Sequence, residues 1–369
     1  MLTAAAQAMR TMIRPIIRAP VLVAIIFLGC GVMGLGAMLT PATAAGLPAS
    51  RSSHIVVIVM ENKESTDVLG NPAAPYLKGL VRRYGLATQS YGVAHPSLPN
   101  YLALTSGSTQ GITSDCTSCS VNAPNIVDQL TSAGISWKAY LEDYPAPCFA
   151  GATSGNYAKR HNPFIYYTDI AQNPSRCSHL VGFGALSADV RSGQLPAYSW
   201  ITPNVCNDTH ACSVAVGDRF LAATVPSLLS ALGPHGFLVL TWDEGASNAG
   251  CCGIARGGHV ATVVAGPDVI AGSRESSRVD HYGVLATIER ALRLPLLGQA
   301  GNPLNGRLDP LISPRPVAHP THAQWIWLHA VYIPAHFARG LRARVWTRLT
   351  SNPNTALALV HRDGSTGIR

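Results

Sequence analysis

Short runs of apolar and β-branched residues alternate with longer amphipathic stretches along the central part of the chain. The runs at residues 54–60, 197–201, 236–242 and 259–265 predict strands that are buried on both faces. Helix-like stretches at residues 75–84, 124–133, 216–232 and 282–292 are long enough to connect parallel strands. The alternation predicts an α/β fold, a sandwich whose central sheet is mostly parallel and carries helices on both faces.

Polar residues directly follow two of the predicted strands. The first strand runs into Glu61 and Asn62, and residues 236–242 run into Asp243 and Glu244. Ligands of parallel sheets bind beyond the carboxyl ends of the strands, and carboxylate and amide oxygens suit a hard divalent cation. The same residues could instead cap the segments that follow them. The pattern favours a metal site at this edge, with the glycine-rich residues 245–258 as a loop over it.

A serine stands at the start of a further predicted helix. Ser97 precedes Pro99, a residue type favoured in the first turn, and an apolar pattern follows it. The free N–H groups and the dipole of a helix N-terminus favour an alkoxide or a phosphate, so Ser97 could act as a hydroxyl nucleophile. The position equally suits a helix cap, and the residues alone leave both interpretations open.

The net charge of +8 is located at the two ends of the chain. Residues 1–45 carry +3 and residues 311–369 carry +6, which leaves −1 for residues 46–310. A near-neutral body argues against binding of a nucleic-acid backbone, and no nucleic-acid partner is expected. The composition, 47% hydrophobic and 12% charged, is that of a globular protein.

The two ends differ in character from the predicted domain at residues 46–310. Residues 1–45 combine three arginines, an apolar run and the small residues 42–44, which predicts a secretory signal peptide; an uncleaved membrane anchor is the alternative. The predicted location is therefore outside the cytoplasm, secreted or in the cell envelope. Residues 311–369 predict a basic, poorly ordered extension, with contact to an anionic membrane surface as the alternative.

Eight cysteines remain after Cys30 is set aside with the N-terminal segment, an even number in a chain that is expected to be exported. This favours disulfides over a thiolate zinc site at Cys116 and Cys119, which lack a second pair at suitable spacing. Neighbouring cysteines bridge each other only with strain, so we expect Cys251 and Cys252 to have different partners.

Five motifs in a fixed order resemble the bacterial phosphoesterase family of the alkaline phosphatase superfamily, which includes secreted acid phosphatases, phosphatidylinositol-3-phosphate phosphatases and phospholipases C. They lie at residues 60–62, 95–101, 202–210, 241–245 and 280–282. The run from Ser97 to Asn100 is similar to the superfamily's nucleophile motif, and the resemblance extends over residues 52–297.

The resemblance implies a role for each matching residue. It implies one divalent metal ion of unknown identity, held by a set of oxygen ligands: Glu61, Asn62, Asp243, Glu244 and the hydroxyl of Ser97. A phosphate pocket would be lined by His95, His161, His210, Asn62 and Asp208, with Asn100 stabilising charge and His210 or His161 protonating the leaving group. Asp208 could orient an imidazole or touch the metal, and the residues leave both roles open. Glu244 stands where two-zinc relatives often have a histidine, which favours one metal over two. His259 is a weaker candidate.

The implied function is a secreted, metal-dependent acid phosphatase that hydrolyses small phosphomonoesters or phosphoinositides through a phosphoserine intermediate. Lys63 and Glu64 differ from the pattern of some phospholipases C, which favours the monoesterase. Histidines charged below about pH 6.5 would bind phosphate better and give an acidic optimum. The alternatives are a phospholipase C-type phosphodiesterase and a non-catalytic phosphate-binding protein.

Overall fold

A computed structural model describes residues 53–312 of the chain. The predicted signal peptide or anchor at residues 1–45 and residues 313–369 of the predicted extension lie outside the described residues. Leu311 and Ile312, which the sequence assigned to the extension, are buried in the core, and Ile312 forms a β-bridge with Val269. The domain therefore reaches at least to residue 312, because these two apolar side chains complete it.

One large sheet forms the centre of the domain. Its strands are β1 (Ile55–Met60), β2 (Gly85–Tyr91), β3 (Trp137–Leu141), β6 (Leu180–Gly182), β7 (Tyr198–Thr202), β8 (Phe237–Trp242), β9 (His259–Ala265), β10 (Arg274–Glu275) and β11 (Val279–Asp280), while β4 (Thr153–Ser154) and β5 (Tyr157–Ala158) form a separate hairpin. The order is β10-β2-β9-β8-β1-β7-β3-β6, with β11 also on β2. Only β9 pairs antiparallel to its neighbours, so the sheet is mostly parallel as predicted.

Helices cover both faces of this sheet. They are α1 (Ser65–Val68), α2 (Pro75–Arg83), α3 (Ser97–Ser106), α4 (Ile126–Ser132), α5 (Thr168–Ala171), α6 (Pro174–Cys177), α7 (Phe183–Ser192), α8 (Val214–Ala231) and α9 (His281–Leu292). Alternate residues of β1 enter two different hydrophobic clusters. Ile55, Val57 and Val59 pack with α3, α4 and α9, whereas their neighbours pack with α2, α7 and α8. All six residues of β1 are buried, which explains its continuous apolar run.

Helix α8 is long and apolar enough to cross a membrane by length and composition alone. It contains Pro226 and packs against α2 and β8 through Phe220, Leu221, Val225 and Leu228. Its apolar character is explained by this packing.

Four disulfides join the eight cysteines of the described residues: Cys116–Cys119, Cys148–Cys177, Cys206–Cys212 and Cys251–Cys252. Disulfides were expected, and the pairing of Cys116 with Cys119 leaves no thiolates for the alternative zinc site. The prediction that Cys251 and Cys252 have different partners is wrong. Cys252 adopts a positive φ of 62° and Gly253 follows with φ 94°, so the backbone turns sharply enough to join adjacent sulfurs.

Candidate active site

The register of β1 and β8 places the two predicted acidic motifs side by side. Met60 pairs with Trp242 at the ends of these parallel strands, so Glu61 and Asp243 leave the sheet next to each other. Asn62 then adopts a positive φ of 55°, and its backbone N–H donates to Asp243 Oδ1 at 3.0 Å. Glu61 and Asp243 are fully buried. The sheet therefore fixes two carboxylates at its carboxyl edge, as the sequence predicted.

Ser97 is the first residue of α3 and faces these carboxylates. Its hydroxyl donates to Glu61 Oε2 at 2.9 Å, and Asn62 Nδ2 lies 3.4 Å from the same hydroxyl oxygen. The cap position belongs to Pro96, and the N–H of Leu98 is bound by Asp115 Oδ1 at 2.9 Å. The cap interpretation of Ser97 does not hold, because its hydroxyl points to the acidic site rather than to the helix backbone.

The side chain of Asn100 binds only backbone groups of the segment before Ser97. Its Oδ1 accepts from the N–H groups of Val93 and Ala94, and its Nδ2 donates to the carbonyls of Ala94 and Pro96. The side chain is fully buried, and all of these bonds go to the backbone. These bonds do not favour the predicted role of Asn100 in stabilising charge on the substrate; this amide shapes the turn that presents Ser97.

A second cluster lies beside Glu61 and is built around His161. The Nε2 atom of His161 is 3.3 Å from Glu61 Oε1, and Nδ1 is 3.2 Å from Asp208 Oδ2. Asp208 Oδ1 accepts from the backbone N–H of His210 at 2.7 Å. Both His161 and Asp208 are buried, so Asp208 faces the imidazole and not an open pocket, which favours the orienting role among those that the sequence left open for it. Of this cluster, His210 is exposed.

His95 and Glu244 pair with each other at the edge of the site. Nδ1 of His95 is 2.6 Å from Glu244 Oε2, and Nε2 is 3.0 Å from the carbonyl oxygen of Ser247. Both ring nitrogens are thus engaged, and the prediction that His95 lines the phosphate pocket is not supported by this arrangement. His259, the weaker candidate, bonds the carbonyl of Thr88 through Nε2.

The acidic residues of the site have raised pKa values, partly because their negative charges repel one another, and a bound cation would reduce this repulsion. Burial raises the pKa of Asp243 to about 7 and that of Asp208 to about 7. Burial and the charge of Asp243 raise the pKa of Glu61, and the same two causes with Asp115 raise the pKa of Glu244 to about 9. Asp243 Oδ2 is buried without a hydrogen-bond partner, and Asp208 Oδ2 has only the imidazole of His161 beside it, at 3.2 Å and without hydrogen-bond geometry. Buried carboxylate oxygens without hydrogen bonds in an acidic cluster fit a divalent cation.

The imidazoles adjoin this cluster, and burial disfavours their charged forms. One potential ligand atom each of Glu61, His161 and His210 lies within 4.8 Å of the others. Burial lowers the pKa of His161 to about 3, and burial, His161 and Arg160 lower the pKa of His210. The expectation that these histidines become charged at mildly acidic pH is therefore not supported by their surroundings.

Three further residues support the site directly, and of these the sequence singles out only Arg160, in the basic run before His161 that suits phosphate oxygens. Tyr101 donates its hydroxyl to Glu61 Oε1, Arg160 Nη2 donates to His210 Nε2 at 3.2 Å, and buried His281 binds the backbone carbonyl of Asp243 through Nε2. Tyr101 stands four residues after Ser97, so helical spacing placed it on the same face. No local signal in the sequence marked the contact of His281.

Solved structures place this arrangement in a known class of fold. A protein of the alkaline phosphatase superfamily from Vibrio parahaemolyticus superposes with a TM-score of 0.50 at 14% identity, covering 74% of each chain. The described residues thus have the α/β fold of that superfamily.

The sequence comparisons define the family. The profile of the Phosphoesterase family matches residues 65–295, and the chain belongs to that family of phosphoric ester hydrolases. The phosphatidylinositol-3-phosphatase of Mycobacterium tuberculosis is 34% identical over 254 residues, which are 68% of this chain and 80% of that protein. An acid phosphatase of Aspergillus fumigatus is 28% identical over 249 residues, 64% of this chain, and the match spans about half (54%) of that protein.

Proposed function

We propose that this protein is a secreted, metal-dependent acid phosphatase that hydrolyses phosphomonoesters through a phosphoserine intermediate. The observation that carries the proposal is the position of Ser97, whose hydroxyl lies at the start of α3 and between Glu61 and Asn62. The names of the relatives support phosphatase activity, and the disulfides support a location outside the cytoplasm. A phosphoinositide is the substrate class that the mycobacterial relative suggests.

The residues of the site would hold one divalent cation. Glu61, Asp243 and the hydroxyl of Ser97 converge, with the side chain of Asn62 beside them, whereas Glu244 would first have to leave His95. When bound, such an ion neutralises the charge of the phosphoryl group and favours the ionised serine. Two observations support a cation at this position: Asp243 Oδ2 is buried without a hydrogen-bond partner, and the pKa of the neighbouring Glu61 is raised.

The chain's own residues would perform the remaining steps. Glu61 Oε2 accepts the hydroxyl proton of Ser97, and the oxygen of Ser97 attacks phosphorus in line with the leaving alkoxide. Arg160 is an always-charged donor close to the pocket, and Asn62 Nδ2 is a neutral one. In the observed contact His210 accepts from Arg160 through Nε2 and is therefore neutral; once protonated and released from Arg160, this exposed imidazole would give its proton to the leaving alkoxide. Water then hydrolyses the phosphoserine.

Hydrolysis of two chromogenic esters tests the proposal. We expect the purified protein to hydrolyse p-nitrophenyl phosphate at mildly acidic pH, to lose this activity after chelation and to regain it with a divalent metal. Preference for bis-p-nitrophenyl phosphate would assign the protein to phospholipase C-type phosphodiesterases. Hydrolysis of neither ester by the folded, metal-supplied protein would contradict an enzymatic role.

A further inference from the structure

Large apolar side chains are exposed at the catalytic edge of the sheet. Four such side chains are exposed among the described residues, and two of them, Ile254 at 51% and Leu304 at 68%, lie at this edge. Ile270 at 41% and Leu296 at 40% lie elsewhere, after the C-terminal ends of β9 and α9. Because β9 runs antiparallel to β8, and α9 begins at the catalytic edge, those two ends face the opposite edge.

Ile254 belongs to the loop of residues 245–258, which lies directly beside the segment that leads to Ser97. The backbone N–H of Arg256 donates to the carbonyl of Val93 at 2.9 Å, and that of Gly257 donates to Gly92 at 2.9 Å. Gly257 sits so close to this segment that a Cβ there would lie 2.6 Å from the carbonyl carbon of Gly92. Ile254 therefore projects from a loop that is joined to the catalytic segment by backbone hydrogen bonds.

Leu304 belongs to a segment that also contacts the start of α9. The residue after it, Asn305, places its carbonyl against Gly283 in the first turn of α9. The sulfurs of Cys251 and Cys252 lie within 4.8 Å of a carboxylate oxygen of Asp280, the cap of that helix. Both segments thus contact the start of α9.

Basic side chains surround these two apolar residues. Arg256, Arg278 and Arg307 are exposed, and residues 245–258 and 303–308 contain no aspartate or glutamate. Arg256 and Arg278 make no ion pair within 4 Å among the described residues, and Arg307 lies 3.9 Å from Asp309. We call Ile254, Leu304, Arg256, Arg278 and Arg307 the apolar-basic patch. Apolar side chains that insert and arginines that attract anionic headgroups are the features of an interfacial membrane contact.

We propose that the apolar-basic patch docks the catalytic edge onto an anionic lipid bilayer. The docking itself does not rest on the proposed function, although it would bring the phosphoinositides proposed above as substrates to the site. The Cys251–Cys252 bridge and the bonds to Gly92 and Val93 hold the loop that carries Ile254 against the segment that leads to Ser97. A docked enzyme would meet its substrate within the plane of the membrane and without extracting it.

Vesicle sedimentation of the full chain tests the docking without turnover. The probes are vesicles of phosphatidylcholine with about 30 mol% phosphatidylserine, and vesicles of phosphatidylcholine alone. The paired substitution Ile254→Ser and Leu304→Ser is expected to lower the partition coefficient on anionic vesicles by at least about tenfold. The matched pair Ile270→Ser and Leu296→Ser, also exposed but at the opposite edge, is expected to leave binding within about twofold of the wild type.

A second pair, Arg256→Gln and Arg278→Gln, tests the same surface through exposed side chains, and thermal unfolding shows that each variant is folded. This arginine pair is expected to reduce the preference for anionic over neutral vesicles by about tenfold or more. Equal losses in the two serine pairs, retention of binding in both patch variants, or no binding by the wild type would each overturn the proposal. Failure of the proposed function would instead appear as absent ester hydrolysis by a protein that still binds vesicles.

Discussion

The hydrogen bonds of Asn100 indicate that this residue supports the structure of the site and takes no direct part in catalysis. It satisfies four backbone groups of residues 93–96, immediately before Ser97. Replacement by alanine would leave these buried groups without partners, and each orphaned group is unfavourable. We expect Asn100→Ala to lower the free energy of unfolding by about 3 kcal/mol, measured by denaturant titration.

Asn71→Ala is the matched control, because this amide bonds the backbone of α1 and its turn at an exposed position. We expect a loss of no more than about 1 kcal/mol there. Unchanged stability of Asn100→Ala together with lost turnover would return Asn100 to the catalytic role that the sequence suggested.

The positions of individual site residues were predictable where each residue directly adjoins a predicted strand or helix. Glu61, Asn62 and Asp243 follow strands, and Ser97 precedes a helical pattern, so their meeting followed from the topology of a parallel sheet. The partners of His95 and Asn100 were not predictable in this way. Glu244 lies 149 positions from His95, and the backbone groups bound by Asn100 are not visible in side-chain patterns.

Among the loops, residues 245–258 are held by one carboxylate, that of Glu64. It accepts from the N–H groups of Ala246, Ser247 and His259 and from the hydroxyl of Ser247. Burial alone would raise the pKa of Glu64, but these donors outweigh it and lower the pKa. The stabilisation is therefore present above the ordinary pKa of a glutamate and is lost as the pH falls through the lowered value.

Glu64→Ala is expected to release this loop while the sheet stays intact. Amide hydrogen exchange in residues 246–258 should become faster by about tenfold or more, with β1 and β8 unchanged. Glu275→Ala removes an exposed carboxylate that bonds only the nearby Ser277 and serves as control. Unchanged exchange in the loop of Glu64→Ala would contradict the anchoring role of this carboxylate.

The conformation of residues 202–212 could not be predicted from sequence patterns. The Cys206–Cys212 disulfide closes this segment, Thr209 donates its hydroxyl to the carbonyl of Glu61, and the N–H of Glu61 donates to Asp208. The motif was recognisable by resemblance, but it has no periodicity. Its conformation depends on contacts with β1, which lies about 150 positions earlier along the chain.

For the domain as a whole, the fold was predictable from the strands that are buried on both faces. β1, β8 and β9 were predictable because their residues are mostly apolar and nearly all buried. β2 and β3 were missed because polar residues interrupt them: Thr88 and Gln89 are partly exposed in β2, and Lys138 of β3 pairs with Asp189 outside the sheet. The disulfides and the core position of Leu311 depend on tertiary packing.

The acidic cluster predicts how stability depends on pH and metal. Asp208 and Asp243 have raised pKa values of about 7, above their values in the unfolded chain. Between about pH 4 and pH 7 the metal-free folded state therefore binds more protons, so its free energy of unfolding falls as the pH rises. We expect the Tm of the metal-free protein to fall by about 5 °C or more from about pH 5 to about pH 7.5.

Divalent metal should reverse this trend, because the cation replaces the protons on the ionised carboxylates. Asp243→Asn, which removes one of these carboxylates, should show a smaller decrease of the metal-free Tm. A metal-free Tm that stays constant or rises across this pH range would contradict the description of the cluster as a cation site.

Trapping of the covalent intermediate tests the central claim, that Ser97 is the nucleophile, most directly. The protein would be mixed with p-nitrophenyl phosphate, quenched in acid and digested, and its peptides would be examined by mass spectrometry beside those of Ser97→Ala. We predict one added phosphoryl group on the peptide that contains Ser97, and neither phosphoryl group nor turnover in Ser97→Ala. Turnover by Ser97→Ala at the wild-type rate, or a phosphoryl group on another residue, would contradict the account.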